Sequence, residues 1–189
     1  MKSTLLALPL ALFVGCTTDS ARAPSSSSVT ANPAPAVAAP AAAPAPVVAV
    51  AKPAPAPVTV ELKDVMGPGG DSAANFGYDE GNSRIFMYSN GAVGLPLKIA
   101  ADGDYELTIT AACDEADGNK AKFSVSLDDT VLAAEVTTTD TSPKEYVVKV
   151  PAAKAGAHKV SIAFLNDMYK ENAYDLNMYV HGVVLKPAK

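Results

Sequence analysis

The sequence has very little of the chemistry on which most enzymes depend. Its 189 residues include no tryptophan, two cysteines and two histidines. Neither His158 nor His181 has an evident nucleophile partner, which argues against a catalytic centre of the Ser–His type. Neither a metal-hydrolase spacing nor a glycine-rich nucleotide loop occurs. We therefore predict that the protein is not an enzyme.

Positive charge is also scarce, since the formal net charge is −5 at pH 7. A mildly acidic chain has no electrostatic footprint for nucleic acid, so we expect no nucleic-acid partner. The same carboxylates are available to a divalent cation. Of the two cysteines, Cys113 ends a strand-like run, and we expect it to be a small buried residue.

The N-terminus carries the features of an export signal. Lys2 precedes the apolar run Leu5–Val14, which is too short to cross a bilayer because spanning takes about 20 residues. The run ends in Phe13-Val14-Gly15-Cys16, which resembles a bacterial lipobox, where the signal is cut before a cysteine that carries lipid. We predict a signal peptide at 1–15 and lipidation of Cys16. The alternative is an ordinary signal peptide that happens to contain a cysteine.

Lipidation of Cys16 implies a place in the cell envelope, attached to a membrane. The residue after Cys16 is Thr17 and not aspartate, which resembles the signal for outer-membrane rather than inner-membrane sorting in enterobacteria. Residues 16–57 are nearly all Ala, Pro, Val and Ser, and frequent proline disfavours both helix and sheet. We expect an extended, disordered tether, which at about 3.1 Å per residue reaches on the order of 100 Å.

From residue 58 onward the sequence consists of short runs in which apolar and polar residues alternate, bounded by Gly, Asp, Asn or Pro. Tyr105, Leu107, Ile109 and Ala111 share one face, and a period of two predicts strands. We predict that residues 58–189 form one all-β domain, an antiparallel, jelly-roll-like β-sandwich. The predicted strands are Val58–Leu62, Arg84–Tyr88, Leu95–Ile99, Asp104–Ala112, Lys122–Leu127, Val131–Thr137, Glu145–Val150, His158–Phe164 and Asn177–Leu185.

A polar loop at 165–177 lies between two of these apolar strands. Asn166 and Asp167 leave the first strand, and Asp175 and Asn177 enter the second. If the two strands pair, the ends of the loop meet, and residues two apart in a strand share a face. Calcium takes six to eight oxygens from carboxylates, carbonyls and water, which this loop offers. The alternative, equally weighted on chemistry alone, is that these are ordinary turn residues.

Two motifs resemble the calcium-dependent xylan-binding carbohydrate-binding modules. The first is Phe86-Met87-Tyr88-Ser89-Asn90-Gly91-Ala92-Val93, close to an aromatic-Ser-Asn-Gly sequence of that family. The second runs from Ala157 to Asp167 and continues at Asp175–Val180. The family pattern that it resembles is roughly Gly-x-His-x-Val-x-Val-x-Phe-x-Asn-Asp, a variable loop and Asp-Arg-Asn-Leu-Tyr-Val-Asp. The likeness covers most of residues 58–186.

The resemblance implies a β-sandwich that binds polysaccharide or cell-wall glycan without catalysis. Calcium in the loop would be held by Asp167 and Asp175, with Asn166 and Asn177, and vicinal sugar hydroxyls would complete its shell. Apart from the resemblance, we predict that Tyr169, Glu171 and Tyr174 of the loop also contribute to ligand binding, and Glu171 could supply a further oxygen to the cation.

Three features depart from the family pattern. Leu176 replaces an arginine, His181 stands where an aspartate is usual, and no tryptophan is present as a stacking platform. A platform would have to come from tyrosine or phenylalanine, with Tyr169, Tyr174, Tyr78 and Phe76 as candidates. The alternative function is a structural or protein-interaction envelope domain that has lost sugar binding. The acidic loop 71–82 is interpreted as a solvated loop, although it could join the site or bind separately, and the segment 114–119 is interpreted as a hairpin turn with acids on its rim.

Overall fold

The computed structural model describes residues 52–189. The predicted signal peptide, Cys16 and all but the last six residues of the predicted tether lie outside the described residues. Residues 52–57 are exposed and have no regular secondary structure. In this described part of the chain, no helix has the length and apolar character needed to cross a membrane.

Residues 52–189 form twelve strands and two short 3-10 helices, at Leu62–Asp64 and Gly70–Asn75. The strands are β1 (Val58–Thr59), β2 (Phe76–Asp79), β3 (Arg84–Met87), β4 (Gly91–Ile99), β5 (Gly103–Cys113), β6 (Lys122–Leu127), β7 (Thr130–Thr137), β8 (Lys144–Ala153), β9 (Gly156–Phe164), β10 (Tyr169–Lys170), β11 (Tyr174–Asp175) and β12 (Met178–Pro187).

Two antiparallel sheets make up the body of the domain. The first has the order β2-β3-β12-β5-β8, with β1 also paired to β12, and the second has the order β4-β9-β6-β7. Strands β10 and β11 form a separate two-stranded hairpin. The predicted all-β antiparallel sandwich is confirmed.

The alternating sequence pattern explains how the sheets bury a common core. In β5, the side chains of Tyr105, Leu107, Ile109 and Ala111 are all buried. The second sheet contributes its largest residues, Phe123 and Phe164, to the same cluster. Cys113 also lies in this cluster, as predicted, and its Sγ lies 3.0 Å from Thr138 Oγ1.

Strand β12 is the central strand that connects the core to the polar loop. Its buried residues begin at Met178 and Val180, and the register then shifts between Val180 and Gly182. A bulge inserts one residue and so changes which positions face inward. Val183 and Leu185 are consequently the buried positions after it.

Several features differ from the sequence predictions. The predicted strand Val58–Leu62 is shorter, because β1 ends at Thr59 and Leu62 begins a 3-10 helix. The loop at 71–82 contains a strand, β2, that the sequence analysis does not predict. In addition, β9 and β12 belong to different sheets and do not pair, so the predicted reason for the convergence of the loop ends is wrong. The ends converge because β10 and β11 pair with each other, with Tyr169 opposite Asp175.

His158 lies near the start of β9, and each of its two ring nitrogens lies close to a hydrogen-bond acceptor. Its Nδ1 lies 2.8 Å from Asp128 Oδ2, and its Nε2 lies 2.8 Å from the Lys154 carbonyl oxygen. A carboxylate and a carbonyl both require a donor, and only the protonated ring donates from both nitrogens. The hydrogen bond to Asp128 accordingly raises the pKa of His158 above its usual value.

This contact predicts a loss of stability at alkaline pH. Because the pKa of His158 is higher in the folded state, its contribution is present below about pH 6.5, the unfolded value, and is lost as the pH rises through the folded value. We expect the free energy of unfolding of the wild type, relative to His158→Gln, to fall between pH 5.5 and pH 8.5. Urea unfolding of both proteins measures it, and a pH-independent difference would contradict the assignment.

Candidate functional site

An open cleft of about 390 Å³ lies where β3 ends and β12 begins. It is lined by Asn75, Tyr88, Asp167, Tyr169, Asp175, Asn177 and Tyr179. These residues come from three separate parts of the chain: the end of the second 3-10 helix, the residue after β3, and the segment from 167 to 179. Three of the four predicted metal ligands are therefore brought to one place.

Leu176 sets the direction of its two polar neighbours. Its side chain is completely buried, and its backbone N–H donates to the Met168 carbonyl at 2.8 Å. Because this residue is anchored in the core, Asp175 and Asn177 on either side turn toward the cleft. The leucine that departs from the family pattern thus occupies a packing position.

Asp167 presents an unsatisfied carboxylate to the cleft. Its backbone N–H donates to Asn90 Oδ1 at 2.7 Å, which fixes the residue against the turn that follows β3. Its Oδ1 is buried and has no hydrogen-bond partner within the described residues. Burial, followed by the negative charge of Asp175, raises the pKa of Asp167. Both causes penalise the charged form and would be relieved by a cation.

Asn177 presents the second unsatisfied oxygen. The residue is 8% exposed, and its Oδ1 is buried without a partner among residues 52–189. Its Nδ2 donates to Asp114 Oδ2 at 3.0 Å. The Tyr179 hydroxyl donates to the same carboxylate oxygen at 2.9 Å, and burial together with this bond raises the pKa of Tyr179.

The oxygen set of the cleft fits a hard cation. Buried polar atoms are nearly always paired, so two orphan oxygens in one cleft beside the Asp175 carboxylate call for a common partner. No group of three His, Cys, Asp or Glu side chains that could hold a metal occurs in the described part of the chain. Two carboxylates and an amide carbonyl, with room for water, suit calcium and do not suit the nitrogen and sulfur preferences of zinc.

The remaining predicted residues are not brought together in the cleft. The Asn166 amide bonds to strand β6, with Oδ1 2.6 Å from Lys122 N and Nδ2 3.0 Å from the Lys120 carbonyl oxygen, so the structure gives it no place among the cleft oxygens. Glu171 is exposed in the hairpin turn and does not line the cleft. Tyr174 packs against the core.

Tyrosine provides the aromatic surface of the cleft. Tyr169 is 69% exposed and Tyr88 is 42% exposed. Tyr88 stacks on Phe86, with ring centroids 4.6 Å apart, and meets the edge of Tyr179 at 6.4 Å. Arg84 lies over the Tyr179 ring, with Cζ 3.9 Å from the centroid, which helps to fix it.

Sequence reasoning missed Asn75, Tyr88 and Tyr179 as residues of the cleft. A signal existed for each of them. Tyr88 belongs to the first family motif, and Asn75 lies in the acidic loop that could join the site. Tyr179 lies two residues after Asn177 in the predicted strand Asn177–Leu185. Of the other aromatic candidates, Phe76 is buried, and Tyr78 is half-buried against the core.

Comparisons with known proteins agree with this fold. The CBM36-1 domain of a multidomain xylanase from the hindgut metagenome of Trinervitermes trinervoides superposes with a TM-score of 0.51 at 13% identity, over 70% of this chain and 98% of that domain. A family 35 carbohydrate binding module from Clostridium thermocellum gives 0.52 at 12% identity, over 70% and 98%. At such identities the likeness establishes a shared fold. None of the curated proteins matches the chain.

A family match covers one of the three parts of the chain that line the cleft, the segment from 167 to 179. Residues 106–189 match the family described as Ca-dependent carbohydrate-binding module, xylan-binding. The matched segment begins in β5 and includes Asp114, Asp167, Asp175 and Asn177. The resemblance to the xylan-binding carbohydrate-binding modules that the sequence predicts is thus confirmed over residues 106–189.

Proposed function

We propose that the protein is a non-catalytic, calcium-dependent polysaccharide-binding module that a lipid on Cys16 attaches to the cell envelope. The observation that carries the calcium-dependent binding is the pair of buried oxygens on Asp167 and Asn177, which have no hydrogen-bond partner among residues 52–189; both residues line one cleft with Asp175. The anchor is supported by the lipobox-like sequence alone. Incorporation of labelled palmitate that depends on Cys16 is the measurement that tests it.

Different residues of the cleft are proposed to bind the cation and the sugar. Asp167, Asp175 and Asn177 would hold the cation, which when bound offers open coordination positions to vicinal sugar hydroxyls. The exposed rings of Tyr169 and Tyr88 are placed to pack on the apolar face of a sugar. Asn75, which also lines the cleft, offers both a donor and an acceptor to further hydroxyls.

The ligand class proposed is xylan or a related polysaccharide with free vicinal hydroxyls. The matched family is described as xylan-binding, and the open, polar cleft can admit part of a long chain. The alternative, a structural or protein-interaction domain, does not account for the orphan oxygens. In such a domain, unpaired buried acceptors would lower the free energy of unfolding and would have no ligand to bind.

Removal of calcium provides the direct test. We expect the full chain to bind insoluble xylan in 1 mM calcium chloride and to lose at least about 10-fold in affinity in EDTA, because the cation carries the sugar contacts. Asp175→Asn should lose binding to a similar extent. Glu171→Gln is the matched control, since Glu171 lies in the same hairpin but outside the cleft.

The two arms of this experiment separate the hypotheses. Binding that is unchanged in EDTA would contradict calcium dependence. Calcium uptake by the wild type, with no retention on xylan or on a panel of other polysaccharides, would instead favour the alternative function.

A further inference from the structure

Asp114 lies beside the cleft without lining it, and it holds Asn177 in two ways. It follows the last residue of β5, where Cys113 pairs with Met178 of β12. Its backbone N–H donates to the Asn177 carbonyl at 3.0 Å. Its Oδ2 accepts a hydrogen bond of 3.0 Å from Asn177 Nδ2.

This contact decides which end of the Asn177 amide enters the cleft. A carboxylate only accepts hydrogen bonds, so it selects the NH₂ end of the amide and leaves the oxygen on the other side. The reversed amide would bring its oxygen against the Asp114 carboxylate and direct two N–H donors into the cleft. Hydrogen bonds to a charged group are strong enough to favour one orientation decisively.

Tyr179 in turn fixes the position of the Asp114 carboxylate. Its hydroxyl donates to the same Asp114 oxygen at 2.9 Å, and its ring is held between Arg84 and Tyr88. The chain of contacts therefore runs from the packed tyrosine through Asp114 to Asn177. The orphan Oδ1 of Asn177 is its free end.

We propose that Asp114 is a positioning residue for calcium, which acts by holding the Asn177 carbonyl oxygen toward the cation. The inference rests on the proposed function, because it assigns a role within the same site. It also gives the 114–119 loop, interpreted from sequence as a simple turn, one residue with a defined part in binding.

The experiment is a double-mutant cycle on calcium affinity with the full chain. Asp114→Ala should weaken calcium binding by about 10- to 100-fold, the usual effect of removing a partner of a metal ligand. Asn177→Ala should weaken it similarly, and the double variant should be no weaker than Asn177→Ala alone. Asp114→Asn keeps an oxygen that can accept both hydrogen bonds, and it should recover most of the affinity despite the lost charge.

Terbium luminescence supplies a readout that a purely structural effect would not change. Terbium replaces calcium, and its decay rates in H₂O and D₂O report the number of coordinated waters. Asp114→Ala should bind terbium with about one more water than the wild type, because a water takes the place of the amide oxygen. Urea unfolding in EDTA shows whether each variant is folded.

The outcomes distinguish this inference from the proposed function. If the wild type takes up neither ion, the proposed function fails. If the wild type binds calcium but Asp114→Ala binds equally well, the positioning role is overturned. It is also overturned if the effects of the two single variants add, since Asp114 would then act independently of Asn177.

Discussion

Asp167→Asn is expected to abolish calcium binding and, at the same time, to stabilise the metal-free protein. Calcium affinity depends on the number of charged ligands, so loss of this carboxylate should weaken binding by more than about 100-fold. Without metal, the same carboxylate has a buried, unpartnered oxygen and is repelled by Asp175. Removal of its charge should raise the free energy of unfolding of the metal-free protein, because burial and the charge of Asp175 both penalise the ionised carboxylate.

Calorimetric titration with calcium and urea unfolding in EDTA measure the two effects. The order of stability should reverse in millimolar calcium, because only the wild type gains from ligand binding. Asp64→Asn is the control for charge, since Asp64 is exposed in the first 3-10 helix. A variant that loses calcium but is less stable in EDTA would show that Asp167 also has a folding role that the contacts do not reveal.

Phe164→Ala should produce the largest loss of stability. Phe164 ends β9 between Gly91 of β4 and Phe123 of β6, and its side chain is 1% exposed. Truncation of a buried phenylalanine leaves a cavity that the surrounding sheets fill only in part, at a cost of about 3–5 kcal/mol.

The adjacent residue provides a matched control. Leu165 is 41% exposed, and Leu165→Ala should change the free energy of unfolding by no more than about 0.5 kcal/mol. Urea denaturation in EDTA measures both variants without any contribution from metal. Equal effects at 164 and 165 would mean that Phe164 is not part of a tightly packed core.

The strands could be predicted because their periodicity is local. The Lys122–Leu127 strand was predicted with its observed bounds, since every second residue meets the opposite sheet. β2 was missed because four residues with a glycine at the second position give too short a pattern. β4 begins at Gly91 instead of Leu95, and its Pro96 is tolerated because β4 is an edge strand whose free side is bridged at Gly94, by Met66, and not at Pro96.

The cleft could be predicted only as far as it lies on one segment. Asp167, Asp175 and Asn177 could be identified because they are close in sequence and belong to one motif. Asp114 and Asn90 could not, because they meet these residues through the pairing of β12 with β5 and through the turn after β3. Their contacts are tertiary, and no local pattern records them.

The side-chain amide of Asn166 makes the hydrogen bonds that a backbone peptide group would make in a sheet. The pairing of β6 with β9 ends at Phe123 and Phe164. The backbone N–H of Lys122, one residue before Phe123, donates to the Asn166 side-chain oxygen, whereas a regular sheet would supply a backbone carbonyl. The Asn166 Nδ2 donates a second hydrogen bond to the Lys120 carbonyl oxygen. Hydrolysis of this one amide to a carboxylate would set an oxygen against the Lys120 carbonyl. Deamidation of Asn166, a change of one functional group, would therefore weaken the attachment of the 165–177 segment to the neighbouring sheet.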